Sequence, residues 1–273
     1  MTLRARRIWL TLGALAGVAA VAVALQFATL PDVAPLAREN PATTAFITRY
    51  QARLREQGTK DRLDWRPVPL TKIAPDLALA VLVSEDIGFF SHQGFELSDL
   101  HDAMREAMQK GEAPRGASTI TQQLAKNLWL SPSRNPLRKL KEALLTRQLE
   151  HRLSKERILE LYLNVVEFGP GLYGAEAAAE RYFGKPASDL NAHESAQLAA
   201  SLPRPTTWHP GVESSAYHRQ VTTVESRMAR TVFLRRRFGL PVADTTRLDT
   251  DTLLTADSLW SPGDSVLARD TMP

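Results

Sequence analysis

The stretch GASTITQQLAKNLWLSPSRNPLRKLKEALLTRQLEHRLSKERILELYLN, residues 116–164, decides the fold. Its apolar residues recur at helical three-and-four spacing, and it never settles into the apolar–polar alternation of a half-buried strand. Pro114, Arg115 and Gly116 interrupt the chain just before it, and Ser118 is placed to cap the free amides of a helix running to about Leu130. Pro132 and Pro136 bracket a short loop. The next helix is expected over 137–153 with Leu137, Leu140, Leu144 and Leu145 on one face, and Ser154 can cap a successor through Tyr162. Further on, Asn191 and Glu194 form a capping-box pair for a helix that Pro203 ends, and a last basic helix over 217–238 stops at Gly239. The same spacing holds from about Trp65 onward, so the expected class is mainly α, without an internal repeat.

Toward the amino terminus the pattern changes. Arg4, Arg6 and Arg7 precede an uncharged stretch, 8–30, in which Thr11, Gln26 and Thr29 are the polar side chains. Such a run is long enough to cross a bilayer, and the arginines would stay on the cytoplasmic side. Ala20, Ala22 and Ala24 also offer the small-x-small spacing of a cleaved signal, but the run exceeds a signal's apolar core, so an uncleaved anchor is expected. Either reading exports the rest of the chain. The organisation read from these shifts is a cytoplasmic 1–7, a transmembrane anchor 8–30, a Pro35- and Pro41-containing stalk 31–64, a folded domain 65–240 and a polar tail 241–273. The 273 residues, 44% hydrophobic and with net charge +4, read as ordinary globular protein favouring anionic partners. The absence of cysteine excludes disulfides, thiolate zinc sites and cysteine nucleophiles. Export makes nucleic acid an unfavoured partner.

Four constellations carry chemistry. In 84–94 the adjacent acids Glu85 and Asp86 end an apolar run and are followed by Phe89, Phe90, His92 and Gly94. Two carboxylates in apolar company repel and desolvate each other, so at least one holds its proton tightly, as a general base near neutral pH requires; a capping acid beside a core Phe pair is the plainer reading. In 116–127 Ser118, Thr119, Thr121, Gln122, Gln123 and Lys126 crowd the amino end of a helix, which suits an anion and sugar hydroxyls, or simply a capped helix with a polar face. Arg134, Arg138, Lys139 and Lys141 surround Glu142: a diphosphate clamp, or a surface ion pair worth a few tenths of a kcal/mol. The last, 155–164, reads as an amphipathic core helix with a charged start.

In this order the four segments resemble the glycosyltransferase family 51 peptidoglycan polymerases, most nearly the monofunctional biosynthetic transglycosylases, over about 65–210. The family's acid-acid-x-x-Phe-x-x-His-x-Gly element is similar to 85–94 and its Gly-x-Ser-Thr-Ile-x-Gln-Gln element to 116–123. Its Arg-Lys-x-x-Glu and Lys-x-x-Ile-Leu-x-x-Tyr-Leu-Asn elements are similar to 138–142 and 155–164. Glu96 stands where the family often has Asp, Ala117 where many members have a second Gly, and His209 where Asn is usual.

The resemblance implies a lysozyme-like helical fold behind the single anchor. It further implies polymerisation of lipid II into β-1,4 glycan strands by inverting transfer with release of undecaprenyl diphosphate. It assigns Glu85 as general base and Glu142 as the second essential carboxylate, here expected to orient cations rather than to donate a proton. Lys126, Arg134, Arg138 and Lys139 would absorb the leaving diphosphate's charge, and Ser118, Thr119, Gln122, Gln123 and Asn127 would position sugars and phosphates. No dedicated metal cage is visible, although Mg²⁺ or Mn²⁺ could bridge the diphosphate; no organic cofactor is expected. The implied partners are lipid II, the growing strand, the cytoplasmic membrane and cell-wall synthesis or division proteins, with the catalytic domain on the outer, periplasmic side. No penicillin-binding motif set accompanies the domain. A lysozyme-like lytic enzyme and an inactive anchored scaffold are the rival readings.

Overall fold

The computed structural model describes residues 30–59, 63–96, 118–131 and 136–242, with scattered positions between 9 and 28. The expected tail lies outside the described residues from 243 onward, as do 1–7 and Arg134. The anchor expected over 8–30 falls largely outside them too, and among the described residues no helix is long and apolar enough to cross a membrane.

The described domain is mainly α, as expected. In chain order it comprises α1 (Ala45–Gln57), β1 (Asp64–Trp65), α2 (Pro75–Glu85), α3 (Ile120–Trp129), α4 (Pro136–Arg152), α5 (Lys155–Val165), β2 (Glu167–Gly169), β3 (Leu172–Tyr173), α6 (Ala175–Phe183), α7 (Ala192–Ser201), α8 (Ser215–Arg230) and α9 (Val232–Arg237). Two helical groups meet at a seam. On one side α2 packs against α7 and α8; on the other α3 packs against α4, α5 and α1. Pro75 starts α2, where its missing N–H costs nothing, and every residue from Leu77 to Val83 is buried, so the helix is apolar all round. Its carboxyl end delivers Glu85 to the seam.

Local signals explain several ends. Asn191 and Glu194 form the capping box of α7, and Ser154 accepts the Arg157 amide to start α5. The cap of α3, however, is Thr119 and not Ser118: Thr119 pairs with Gln122 three residues on, whereas Ser118 would have to pair with Thr121, which cannot reach back. The last basic helix is broken at Thr231, whose backbone leaves the helical region and whose hydroxyl donates to the Arg227 carbonyl. Leu137 and Leu140 are 41% and 46% exposed, so the inward face of α4 is instead Glu142, Leu145, Thr146 and Leu149.

Three short strands were not expected. β1 pairs parallel with β3 and β2 antiparallel with it, in the order β1-β3-β2. Asn164 braces this edge, accepting the Val68 amide at 2.8 Å and donating to the Val68 carbonyl at 2.8 Å, while Trp65 Nε1 donates to its backbone carbonyl. Within the segment expected as stalk, Val33 and Leu36 enter the common core, and Arg157 donates to the carbonyls of Leu36 and Glu39 at 2.7 and 2.6 Å.

Candidate active site

The two adjacent acids at the end of α2 have separate environments. Asp86 Oδ1 lies 2.9 Å from His92 Nε2, and its Oδ2 accepts the Ile120 amide at 2.9 Å, at the first turn of α3. Gly94 N–H donates to His92 Nδ1 at 3.0 Å, which places the ring proton on Nε2, aimed at Asp86. Thr119 then donates its hydroxyl to the Gly94 carbonyl at 2.8 Å, so the loop after α2 is stitched to the start of α3. Gly94 has φ +85, and a Cβ there would stand 2.6 Å from Thr146 Cγ2 and 2.9 Å from Glu150 Cγ on α4. Beneath the loop, the Lys155 ammonium lies 4.4 Å from the centre of the buried Phe89 ring and pairs with Glu150 at 2.8 Å.

Glu85 is turned the other way. It keeps partial access to solvent and accepts from Gln123 Nε2 at 2.8 Å. Burial raises the pKa of its carboxyl above the ordinary range; Gln123 and Lys126 oppose that rise and the Asp86 charge adds to it. The raised affinity expected of one acid in the pair is therefore found at Glu85, with desolvation rather than mutual repulsion as its main cause.

Across the seam, α4 presents Glu142 with only 3% of its surface exposed. Arg138 Nη1 donates to one of its oxygens at 2.8 Å and Lys139 to the other, while Thr146 hydrogen-bonds its backbone carbonyl at 2.8 Å. Lys126 on α3 joins the two halves. Burial, with help from Arg138 and Lys139, lowers its pKa, and the carboxylates of Glu142 and Glu85 both act to raise it. Gln123, which holds Glu85, and Lys126 lie one turn apart on α3, and α3 packs against α4, which bears Arg138, Lys139 and Glu142.

The other candidates are distributed unevenly. Gln123, Lys126 and Asn127 share a face of α3, one turn apart, with Asn127 buried. Ser118 is exposed beside them and its carbonyl accepts from Gln123 Nε2 at 3.4 Å. Thr119 and Gln122 are engaged with each other in the capping box of α3. Asp86, His92 and Tyr162 were not singled out as site residues. Tyr162, read as part of a core helix, donates its hydroxyl to Gln123 Oε1 at 2.9 Å. A polar-tipped aromatic on an otherwise apolar face was the available signal. Among the described residues no group of three or more His, Asp or Glu side chains could hold a metal ion.

Known proteins resemble this chain over two thirds or more of its length. The family model described as Transglycosylase matches residues 51–229. A biosynthetic peptidoglycan transglycosylase of Laribacter hongkongensis is 44% identical over 189 residues, covering 69% of this chain and 83% of the relative. One of Bordetella avium is 43% identical over 240 residues, covering 84% and 95%, and one of Azoarcus sp. is 44% identical over 201 residues, covering 73% and 87%.

Proposed function

The chain belongs to the transglycosylase family, and from that premise we propose how its site divides the work of a peptidoglycan glycosyltransferase that extends glycan strands. The donor sugar already carries a lipid diphosphate, so the acceptor's 4-hydroxyl needs only to lose a proton as it attacks. Glu85 takes that proton while the new O4–C1 bond forms and the C1–O bond to phosphate breaks, inverting an α-linked donor to a β-linked product. The electron pair leaves with the diphosphate, and Lys126, Arg138 and Lys139 stabilise the charge that grows there. Arg134, outside the described residues, is placed in sequence to join them. Glu142 holds Arg138 and Lys139 in position rather than acting on the sugar. Ser118, Gln123 and Asn127 would position the sugars and phosphates, and Thr119 and Gln122 fix the end of the helix that carries them.

The observation that supports this reading is that α3 carries both Gln123, bonded to Glu85 at 2.8 Å, and Lys126 one turn on, and packs against α4, which bears Arg138, Lys139 and Glu142. A lytic enzyme also uses a carboxyl of raised proton affinity such as Glu85, yet it has no charged leaving group to occupy three cations. The side chains form no metal cage among the described residues; a divalent ion, Mg²⁺ or Mn²⁺, would ride on the substrate's phosphates. The anchor over 8–30 would confine enzyme and lipid II to one surface on the outer face of the cytoplasmic membrane, where other cell-wall synthesis or division proteins would meet it.

The test supplies purified protein with lipid-linked disaccharide-pentapeptide. Strands form with the wild type and not with Glu85→Gln, while both melt alike. Soluble fragments released from purified cell wall, or normal strands from Glu85→Gln, would overturn the reading.

A further inference from the structure

Gln123 stands between Glu85 and Tyr162. Its Nε2 donates to Glu85 Oε2 at 2.8 Å, and its Oε1 accepts the Tyr162 hydroxyl at 2.9 Å. A carboxamide carries donors at one end and an acceptor at the other, and half a turn about its last bond exchanges them. With the ends as found, an N–H meets the Glu85 carboxylate. With them exchanged, a carbonyl oxygen faces Glu85 and only the protonated acid satisfies it. What lies at the far end of the amide therefore selects which form of Glu85 is favoured.

That far end is a phenol with 0% exposure on α5. Burial and the charges of Glu85 and Asp86 hold its pKa well above the usual phenol range, so it stays protonated and available as a donor. The Ser118 carbonyl, 3.4 Å from Gln123 Nε2, opposes the exchanged orientation as well, but that bond is long and sits at the exposed rim. A phenylalanine would fill the same apolar space; the hydroxyl is what it would lack.

Resting on Glu85 as the base, we infer that Tyr162 is a positioning residue: by donating to Gln123 it keeps the amide N–H on the Glu85 carboxylate and so presents the base in its proton-accepting form. The same two bonds tie α2, α3 and α5 together across the seam, so the base and the helix bearing Lys126 are held in one register.

Tyr162→Phe tests this without changing ring volume. The Glu85 titration midpoint, followed by carboxyl carbon resonances in labelled protein with Glu85→Gln identifying the signal, moves up by about one pH unit, a roughly tenfold change in proton affinity. The acid limb of strand formation moves with it. The rate falls about tenfold below both midpoints and returns to near wild type well above them. Gln123→Leu moves the midpoint at least as far, and adding Tyr162→Phe to it moves it no further. An unmoved midpoint in Tyr162→Phe, with or without a rate loss equal at every pH, overturns the inference and leaves Tyr162 a packing residue. A full second shift on top of Gln123→Leu overturns it too, because Tyr162 would then act by another route. A moved midpoint in a protein that makes no strands keeps the link and removes the function proposed for the site.

Discussion

Replacing Asp86 with Asn perturbs stability and chemistry in opposite senses. The Asp86 and His92 side chains are only 4% and 6% exposed, and the carboxylate meets two donors, His92 Nε2–H and the Ile120 amide, at 2.9 Å each. Asparagine keeps the shape but offers a single oxygen, so one donor faces an NH₂ and the remaining bond loses its charge. Hydrogen bonds to a charged group contribute about 1.5–3 kcal/mol, so a total loss of roughly 2–4 kcal/mol follows. For a domain of this size that is a fall in Tm of roughly 5–12 °C. Meanwhile the Asp86 charge is one of the effects that raises the Glu85 pKa, so its removal lowers that pKa and slides the acid limb of the rate profile to lower pH. Urea or thermal unfolding reads the first effect and strand formation across pH reads the second. An unchanged melting temperature, or an acid limb that moves upward, would refute the separation of structural and chemical roles between the two adjacent acids.

The wild-type rate should be bell-shaped in pH: activity falls as pH drops through the raised Glu85 pKa and falls again as pH rises through the lowered Lys126 pKa. Lys126→Met should cost roughly 100-fold in kcat and erase the alkaline limb, and survival of that limb would assign it elsewhere. Glu142→Gln leaves Arg138 and Lys139 without their counter-charge. Because Lys139 is half exposed, the stability loss should be only about 1–2 kcal/mol, so a rate loss larger than melting explains is expected, and a melting change alone would contradict the clamp. Gly94→Ala should destabilise by about 2–4 kcal/mol from positive φ and the contacts with Thr146 and Glu150, read as a lower urea midpoint; an unchanged midpoint would show that the loop yields.

What was legible in the sequence is what is local. The Asn191–Glu194 box and the Ser154 cap are satisfied by residues three apart, and they stand where the spacing placed them. The cations around Glu142 were legible as a cluster for the same reason. What escaped depends on partners far along the chain. Glu142 reads as a surface acid until the packing of α3 on α4 encloses it, and the same packing moves the buried face of α4 away from Leu137 and Leu140. Asp86 looks equivalent to Glu85 until the Ile120 amide, 34 residues away, claims its carboxylate. Strands of two or three residues cannot display an alternation, so β1, β2 and β3 left no periodic signal. The break at Thr231 is a change of backbone conformation confined to one residue, which a run of basic residues on either side conceals.

The account turns on one site spanning the seam, and a crystal structure with a non-reactive disaccharide lipid diphosphate addresses it most directly. The diphosphate oxygens should lie within hydrogen-bonding distance of Lys126 and Arg138, with a sugar hydroxyl reaching the Glu85 carboxylate. A ligand that engages Glu85 while its diphosphate sits away from Lys126, Arg138 and Lys139 would contradict it.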